Sequence, residues 1–600
     1  MIEKLTLALS WVKNGLIKLY NFLGLPNRTE IRTALISFSP RNRMFLGIIG
    51  IIFIISSALL FWRLNNSVVV TVAIPGGSLT EGVIGSPRFI NPLLAISDTD
   101  RDLVMLTYSG LMRVGTDGKL IPDLAKSYTV SKDGLVYRFI LKDKIYWHDG
   151  QPITADDIVF TIKRANDPQV KSPKRADWDG VEVRKISERE VEFILKRPYS
   201  YFLENTTMGI LPEHLWSKVS IESFSLNKLN TEPVGSGPYK FSSTKKDSLD
   251  VIQTYNLTAF GDFALGEPHL KNVTIRSYSN TDELFADYSL GKIDSFGAVS
   301  PEKAKGFDQN KIAKIPLPRI FSIFFNQNQN RIFTSKEVRQ ALDLATDKKA
   351  IVAKVLAGYG EVADNAIPPS SFGFTLEGSD SHYDPQAAKD LLAKAGWKLG
   401  TNGILQKKIS ISKKETRLES LSFSIFTSDV PELKAVAEMV REQWSKIGAK
   451  VEVRIFEAGD LNENFIRPRK YDALLFGEVV GRHPDPFPFW HSSQRLDPGL
   501  NIAQYTNVTA DKLLEEARSA TDEKTKLTKY RLFQKEIAKD QPAVFLYSPY
   551  YLYLLSNDIK GAKFPAITNP AERFASIHLW YNKTDRLWRF LANKNNIIKK

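Results

Sequence analysis

The chain predicts an α/β ectodomain of two or three lobes behind one membrane-spanning helix, and three observations carry that expectation. Met44 to Trp62 is an unbroken apolar run between Arg43 and Arg63. The residues after it alternate β-branched runs with capped helices that stop at glycine. They are also too numerous to surround a single hydrophobic core.

The apolar run comes first. At ~1.5 Å rise per residue it spans about 28 Å, the hydrocarbon thickness of a bilayer. Its only polar residues are Ser56 and Ser57, so it lacks the polar stripe of a soluble helix. Lys4, Lys13, Lys18, Arg28, Arg32, Arg41 and Arg43 precede it against Glu3 and Glu30, which predicts a cytoplasmic N-terminus. A cleaved signal peptide fits less well. The basic region is too long, and the small residues Ser56-Ser57-Ala58 lie inside the apolar run rather than after it. With no cysteine in the chain, an N-terminal lipidated cysteine, disulfides and thiolate zinc sites are excluded. Upstream, Ile2, Leu5, Leu9, Val12, Leu16, Leu19 and Leu23 recur at helical spacing. This is the pattern of an interfacial helix or of one packing on a cytoplasmic partner.

The formal charge of +14 is uneven: the N-terminal tail supplies five units, Arg63 one and the end from Lys583 five, leaving about +3 for the folded body. Nucleic acid is therefore not an expected partner. The basic end reads as a solvated tail or as a segment resting on anionic lipid.

Within the ectodomain, Val68 to Ile74 reads as the first strand, followed by a loop to about Pro92. Val136 to Leu141 and Val191 to Leu195 read as strands. Thr154 with Asp157, and Thr334 with Glu337, have capping-box spacing. Asp384-Pro385 opens a helix that Gly396 ends, and Pro431 to Ile447 is amphipathic up to Gly448, before a strand over Val451 to Phe456.

The sequence lacks the phosphate-binding loop, the H-E-x-x-H zinc helix and the G-x-S-x-G elbow. Ser242-Ser-Thr-Lys245 matches S-x-x-K, but no K-T-G accompanies it. His483, Asp485 and His491 cluster in sequence, and a solvated or hydrogen-bonded group is the better reading than a metal site.

Four longer segments carry a resemblance. They are Leu135 to Ile158, with its His148-Asp149-Gly150 turn; Pro233-Val-Gly-Ser-Gly-Pro-Tyr239; Glu337 to Asp347; and Tyr383 to Trp397. In this order and spacing the chain resembles the family 5 solute-binding proteins of ATP-binding-cassette importers, from about Val70 to Tyr581. Read without the resemblance, the same residues are structural: Gly150 forms a turn, Gly235 and Gly237 permit unusual backbone angles, and Trp147 and Trp397 are core aromatics.

The resemblance implies a two-lobed periplasmic-binding-protein type II fold, with an extra domain inserted in the first lobe and one transmembrane helix in front. Residues 1–43 would be a cytoplasmic segment and 44–62 the anchor. Lobe I would span 68–318, including the extra domain at about 101–225, lobe II 319–540, the return to lobe I 541–582, and the basic tail 583–600. The chain would cross between lobes near Pro318 and near Pro542. The implied function is capture of a peptide or peptide-like solute for import, without catalysis, cofactor or metal. Permease and ATPase subunits would be separate chains, and the localisation would be the cell membrane. Other readings on the same scaffold are a cell-wall hydrolase, for which no nucleophile–base pair is visible, and a ligand sensor.

The resemblance also implies that ligand-binding residues lie on the cleft: Glu81, Asn326, Phe476, Glu478, Arg482, His483, Asp485 and Trp490. Arg482 stands where peptide-binding members place an acid for the peptide's amino terminus, so it is expected to favour a carboxylate. Glu478 or Asp485 would otherwise take over the acid's role.

Overall fold

The computed structural model describes residues 28–199, 201–369, 371, 383–412, 415–482, 484–520, 522–588 and 590. The amphipathic segment before residue 26, and His483, lie outside them, as does the basic tail beyond residue 590. The chain divides into two compact units, Met1–Ala73 with Thr584–Lys600, and Ile74–Lys583.

In the first unit, Ser39 caps the long helix Pro40–Val68, with Pro40 at its first position. The helix leaves its apolar side chains exposed all round, and it is the one helix long and apolar enough to cross a membrane among the described residues. The strand Val69–Ala73 continues directly from it, as expected. Its partner is the C-terminal strand Thr584–Trp588, paired antiparallel with Val69 opposite Trp588.

The second unit is built on one continuous sheet shared by two lobes. The strands Lys450–Phe456, Ser422–Ser428, Ala473–Val479 and Arg319–Phe325 form one end of it. Ser295–Phe296, Ser78–Ile84, Asn272–Tyr278, Ile252–Ala259 and Tyr239–Lys246 form the other. The long strand Ala543–Leu555 joins them. Its first half pairs with Arg319–Phe325 and its second half with Ile312–Pro316. The crossings therefore fall at Leu317-Pro318 and at Ser548-Pro549. The second lies several residues beyond Pro542, because Val544 and Leu546 still pack into the second-lobe core. Pro549 has no N–H for the ladder, which suits a strand changing partners there.

Lobe II covers both faces of its sheet with core: Trp444 and Phe423 on one, Trp490 and Phe545 on the other. The extra domain carries the antiparallel sheet of Ala125–Val130, Val136–Leu141, Glu190–Leu195 and Val181–Ser187, and shares one core with lobe I.

Most expected elements match. Thr154 and Asp157 make the capping box, Asp384 accepts the amides of Gln386 and Ala387, and Gly396 and Gly448 take positive φ after their helices. Trp147 and Trp397 are buried in the core. Three readings need correction. Ser335, not Thr334, caps the helix Lys336–Leu344, because Thr334 completes a preceding 3-10 turn. The stretch read as a loop after Ile74 contains the strand Ser78–Ile84. Gly235 and Gly237 keep ordinary φ, and what they provide is close approach: a Cβ on Gly235 would sit 1.8 Å from the Thr107 carbonyl oxygen.

Candidate functional site

The loop following Ala473–Val479 is where lobe II meets lobe I and the extra domain, and Arg482 is its centre. The side chain is almost fully buried. Its Nη1 donates to the carbonyls of Ala566 at 2.8 Å and Gly118 at 3.4 Å. Its Nη2 meets the Glu572 carboxylate, and its Nε faces Glu204 at 3.6 Å. The contacts come from the return segment and the extra domain, so a single guanidinium ties three parts of the fold. The expected partner, a ligand carboxylate, does not match this geometry, because the chain's own carboxylates and carbonyls surround the group. Burial pushes the Glu204 carboxyl up to about 7, although Arg482 pulls it down.

Glu572 is followed in the same short helix, Pro570–Phe574, by Arg573, which points into lobe I. Arg573 grips Asp102 with both terminal nitrogens, at 2.7 and 2.6 Å, and reaches Glu81 at 2.8 Å. The other Glu81 oxygen accepts from Tyr553 Oη at 2.8 Å and from Ser295 Oγ. Glu81 is thus a wholly buried strand residue rather than a loop carboxylate facing the cleft. Burial raises the Asp102 carboxyl to about 6 against the pull of Arg573.

The remaining candidates separate. Asn326 is buried at the end of Arg319–Phe325, where its Nδ2 donates to Arg469 O and its Oδ1 receives the amides of Asn328 and Gln329. That is a turn-forming role. Trp490 stands in the lobe II core against Phe324 and Phe545. Asp485 pairs with Arg518 at 2.8 Å, and burial raises its carboxyl despite that partner. His491 lies instead 3.3 Å from Glu515, so it and Asp485 look to different partners. Phe476 and Glu478 line one lobe II cavity of about 420 Å³, with Phe489 and Ile502. Glu478 is almost fully buried, its Oε1 has no hydrogen-bond partner, and burial alone holds its carboxyl well above the usual range.

A second cavity of about 850 Å³ opens between the extra domain and lobe II, lined by Tyr128, Tyr137, Tyr199, Tyr201, Lys526 and Tyr530. Tyr201 Oη donates to the Pro484 carbonyl at 2.8 Å, so the extra domain closes on the same loop that carries Arg482.

The sequence motifs meet at a supporting point. The amide of Gly235 donates to His148 Nδ1 at 3.2 Å, and His148 Nε2 lies 3.0 Å from the Gly237 carbonyl. Burial lowers this imidazole to about 4. The histidine of the H-D-G turn therefore clamps the glycine loop as a neutral ring. Glu204, Glu572, Arg573 and Asp102 were not legible as site residues, since none lies in a recognisable motif.

Two lobes share one sheet, two strands cross between them, and the loop at Arg482 bonds across the gap. The chain belongs to the bacterial extracellular solute-binding proteins, family 5, whose model matches residues 119–498. It is a solute receptor and not an enzyme. It is 32% identical over 517 residues to the oligopeptide-binding protein AppA of Bacillus subtilis, covering 84% of this chain and 92% of that protein. The structure of AppA from Bacillus subtilis in complex with a nonapeptide superposes with a TM-score of 0.63 at 31% identity, over 85% of this chain and 99% of that one. NikZ from Campylobacter jejuni, in complex with Ni(L-His), gives 0.65 at 27% identity, over 85% and 100%.

Proposed function

We propose that this chain is a membrane-anchored extracytoplasmic receptor that captures a peptide or peptide-like solute between its lobes. It delivers the solute to an ATP-binding-cassette importer whose permease and ATPase subunits are separate chains. The observation that carries the reading is the hinge: both crossings lie in neighbouring strands of one sheet, and Arg482 bonds across the gap they control. The peptide ligand is supported by the oligopeptide-binding relative. Anchoring is supported by the exposed apolar helix with its basic N-terminal flank.

With Arg482, Glu81 and Asp485 engaged by the chain itself, Glu478 is the candidate acid with an unpartnered buried oxygen. It takes the donor group of the ligand, ideally an amino terminus, whose positive charge restores the ionised carboxylate that burial disfavours. Titrating a nonapeptide and its N-acetylated form against wild type and Glu478→Gln tests both statements. Loss of a desolvated charged contact costs about 2–5 kcal/mol, roughly 30-fold to several-thousand-fold in affinity. Acetylation and Glu478→Gln should each weaken binding on that scale. No binding of any peptide, with no peptide retained in mass spectrometry of the purified chain, overturns the ligand class. Binding indifferent to acetylation removes Glu478 from the amino-terminal role.

A further inference from the structure

We propose that Trp588 and Phe590, with the basic residues near them in sequence, form a clasp that seats on the surface of an anionic bilayer beside the end of the apolar helix. The inference rests on the anchoring reading above and adds a second membrane contact at the opposite end of the chain. In the antiparallel pair, Val69–Ala73 leaves the helix while Thr584–Trp588 runs back toward it. Trp588 closes the register opposite Val69, and its Nε1 donates to Asn65 Oδ1 at 2.9 Å. Asn65 lies three residues past Trp62, so at ~1.5 Å per residue it stands about 4.5 Å beyond the apolar run. That is the headgroup layer, which extends roughly 5–8 Å beyond the hydrocarbon on each side.

The side chains suit that layer. Trp588 is 45% exposed and Phe590 76%, and the rings contact each other with centroids 5.6 Å apart. The indole N–H is already satisfied by Asn65, so what Trp588 presents outward is apolar ring. Aromatics of this kind concentrate at membrane–water interfaces. A ribbon of two strands is also marginal in water by itself, and burying its aromatic end in an interface supplies apolar cover. Charge points the same way: from Lys583 onward the sequence holds six basic residues against Asp585, and Arg63 marks the end of the helix's apolar run. Basic residues beside a span favour anionic lipid.

The chain has no cysteine, so single nitroxide labels can be placed without other changes. Phe590→Cys reports the clasp, Phe53→Cys the middle of the apolar helix, and Leu226→Cys, 86% exposed, an ectodomain surface position. The full chain is reconstituted in phosphatidylcholine vesicles with and without phosphatidylglycerol, and collision with an aqueous nickel chelate is measured. With phosphatidylglycerol, collision at Phe590 should fall several-fold below that at Leu226 and stay above that at Phe53. Omitting phosphatidylglycerol should raise it. A Phe590 label as accessible as Leu226 while Phe53 is protected overturns the clasp. Equal protection without phosphatidylglycerol overturns the anionic preference. A Phe53 label as accessible as Leu226 overturns the anchor itself.

Discussion

Two arginines in this molecule each face two carboxylates, yet they hold different things. Arg573 joins Glu81 and Asp102 within the first lobe, with every contact between 2.6 and 2.8 Å. Arg482 joins Glu572 and Glu204 across the lobes, with one tight contact and one at 3.6 Å. On the proposed hinge, opening would leave the first cluster intact, because all its members lie in the first lobe, and would break the second, whose members come from both sides. Because Glu572 and Arg573 are consecutive, the pin and the latch share one short helix, Pro570–Phe574. The contrast shows that similar burial and charge serve rigidity in one place and switching in the other, according to which segments supply the partners.

The largest effect should come from Arg573→Ala. It leaves Glu81 and Asp102 buried without their cation in a core that does not open, and breaking a buried pair in this way costs about 3–5 kcal/mol. Denaturant unfolding should show a loss of that size with or without ligand. A loss below about 1 kcal/mol, the scale of an exposed pair, would mean the cluster is not a structural pin.

Arg482→Ala should be milder, since the receptor can open and return Glu204 and Glu572 to water. The expected result is a larger radius of gyration in solution scattering without ligand, and a smaller stability loss than for Arg573→Ala. Equal stability losses for the two variants, with unchanged radius, would erase the distinction between pin and latch.

The reach of the sequence follows the range of the interactions involved. Helix boundaries at Asp384, Gly396 and Gly448 were legible because caps and positive-φ glycines act within a few residues. The strand Ser78–Ile84 was not, because its central residue is Glu81, whose partner Arg573 lies 492 residues away. A carboxylate in the middle of a buried strand defeats any reading by alternation. Arg482 could be seen to depart from the family pattern, whereas its partners could not, since they come from segments far apart in sequence. Glu572 is 90 residues distant, and Gly118 is 364. The crossing expected near Pro542 falls instead at Pro549, inside one continuous strand, and only the change of pairing partner marks it.

The smallest effect separates the latch by its protons. Closure buries Glu204 beside an arginine already engaged by Glu572, and its carboxyl rises from the ordinary carboxylate range to about 7. In the open receptor the side chain regains water and titrates near its usual value. Between those two values the closed form holds a proton that the open form lacks, so closing takes up a proton. Closure is therefore favoured as pH falls below about 7, and that advantage is lost as pH rises through it. The side chain remains 26% exposed, so screening limits the effect to on the order of 1–2 kcal/mol. In Glu204→Gln the amide is neutral at every pH, and the compact fraction seen by scattering between pH 5 and pH 8 should lose most of its pH dependence. If Glu204→Gln retains the full wild-type slope, Glu204 is not the proton-linked member of the latch.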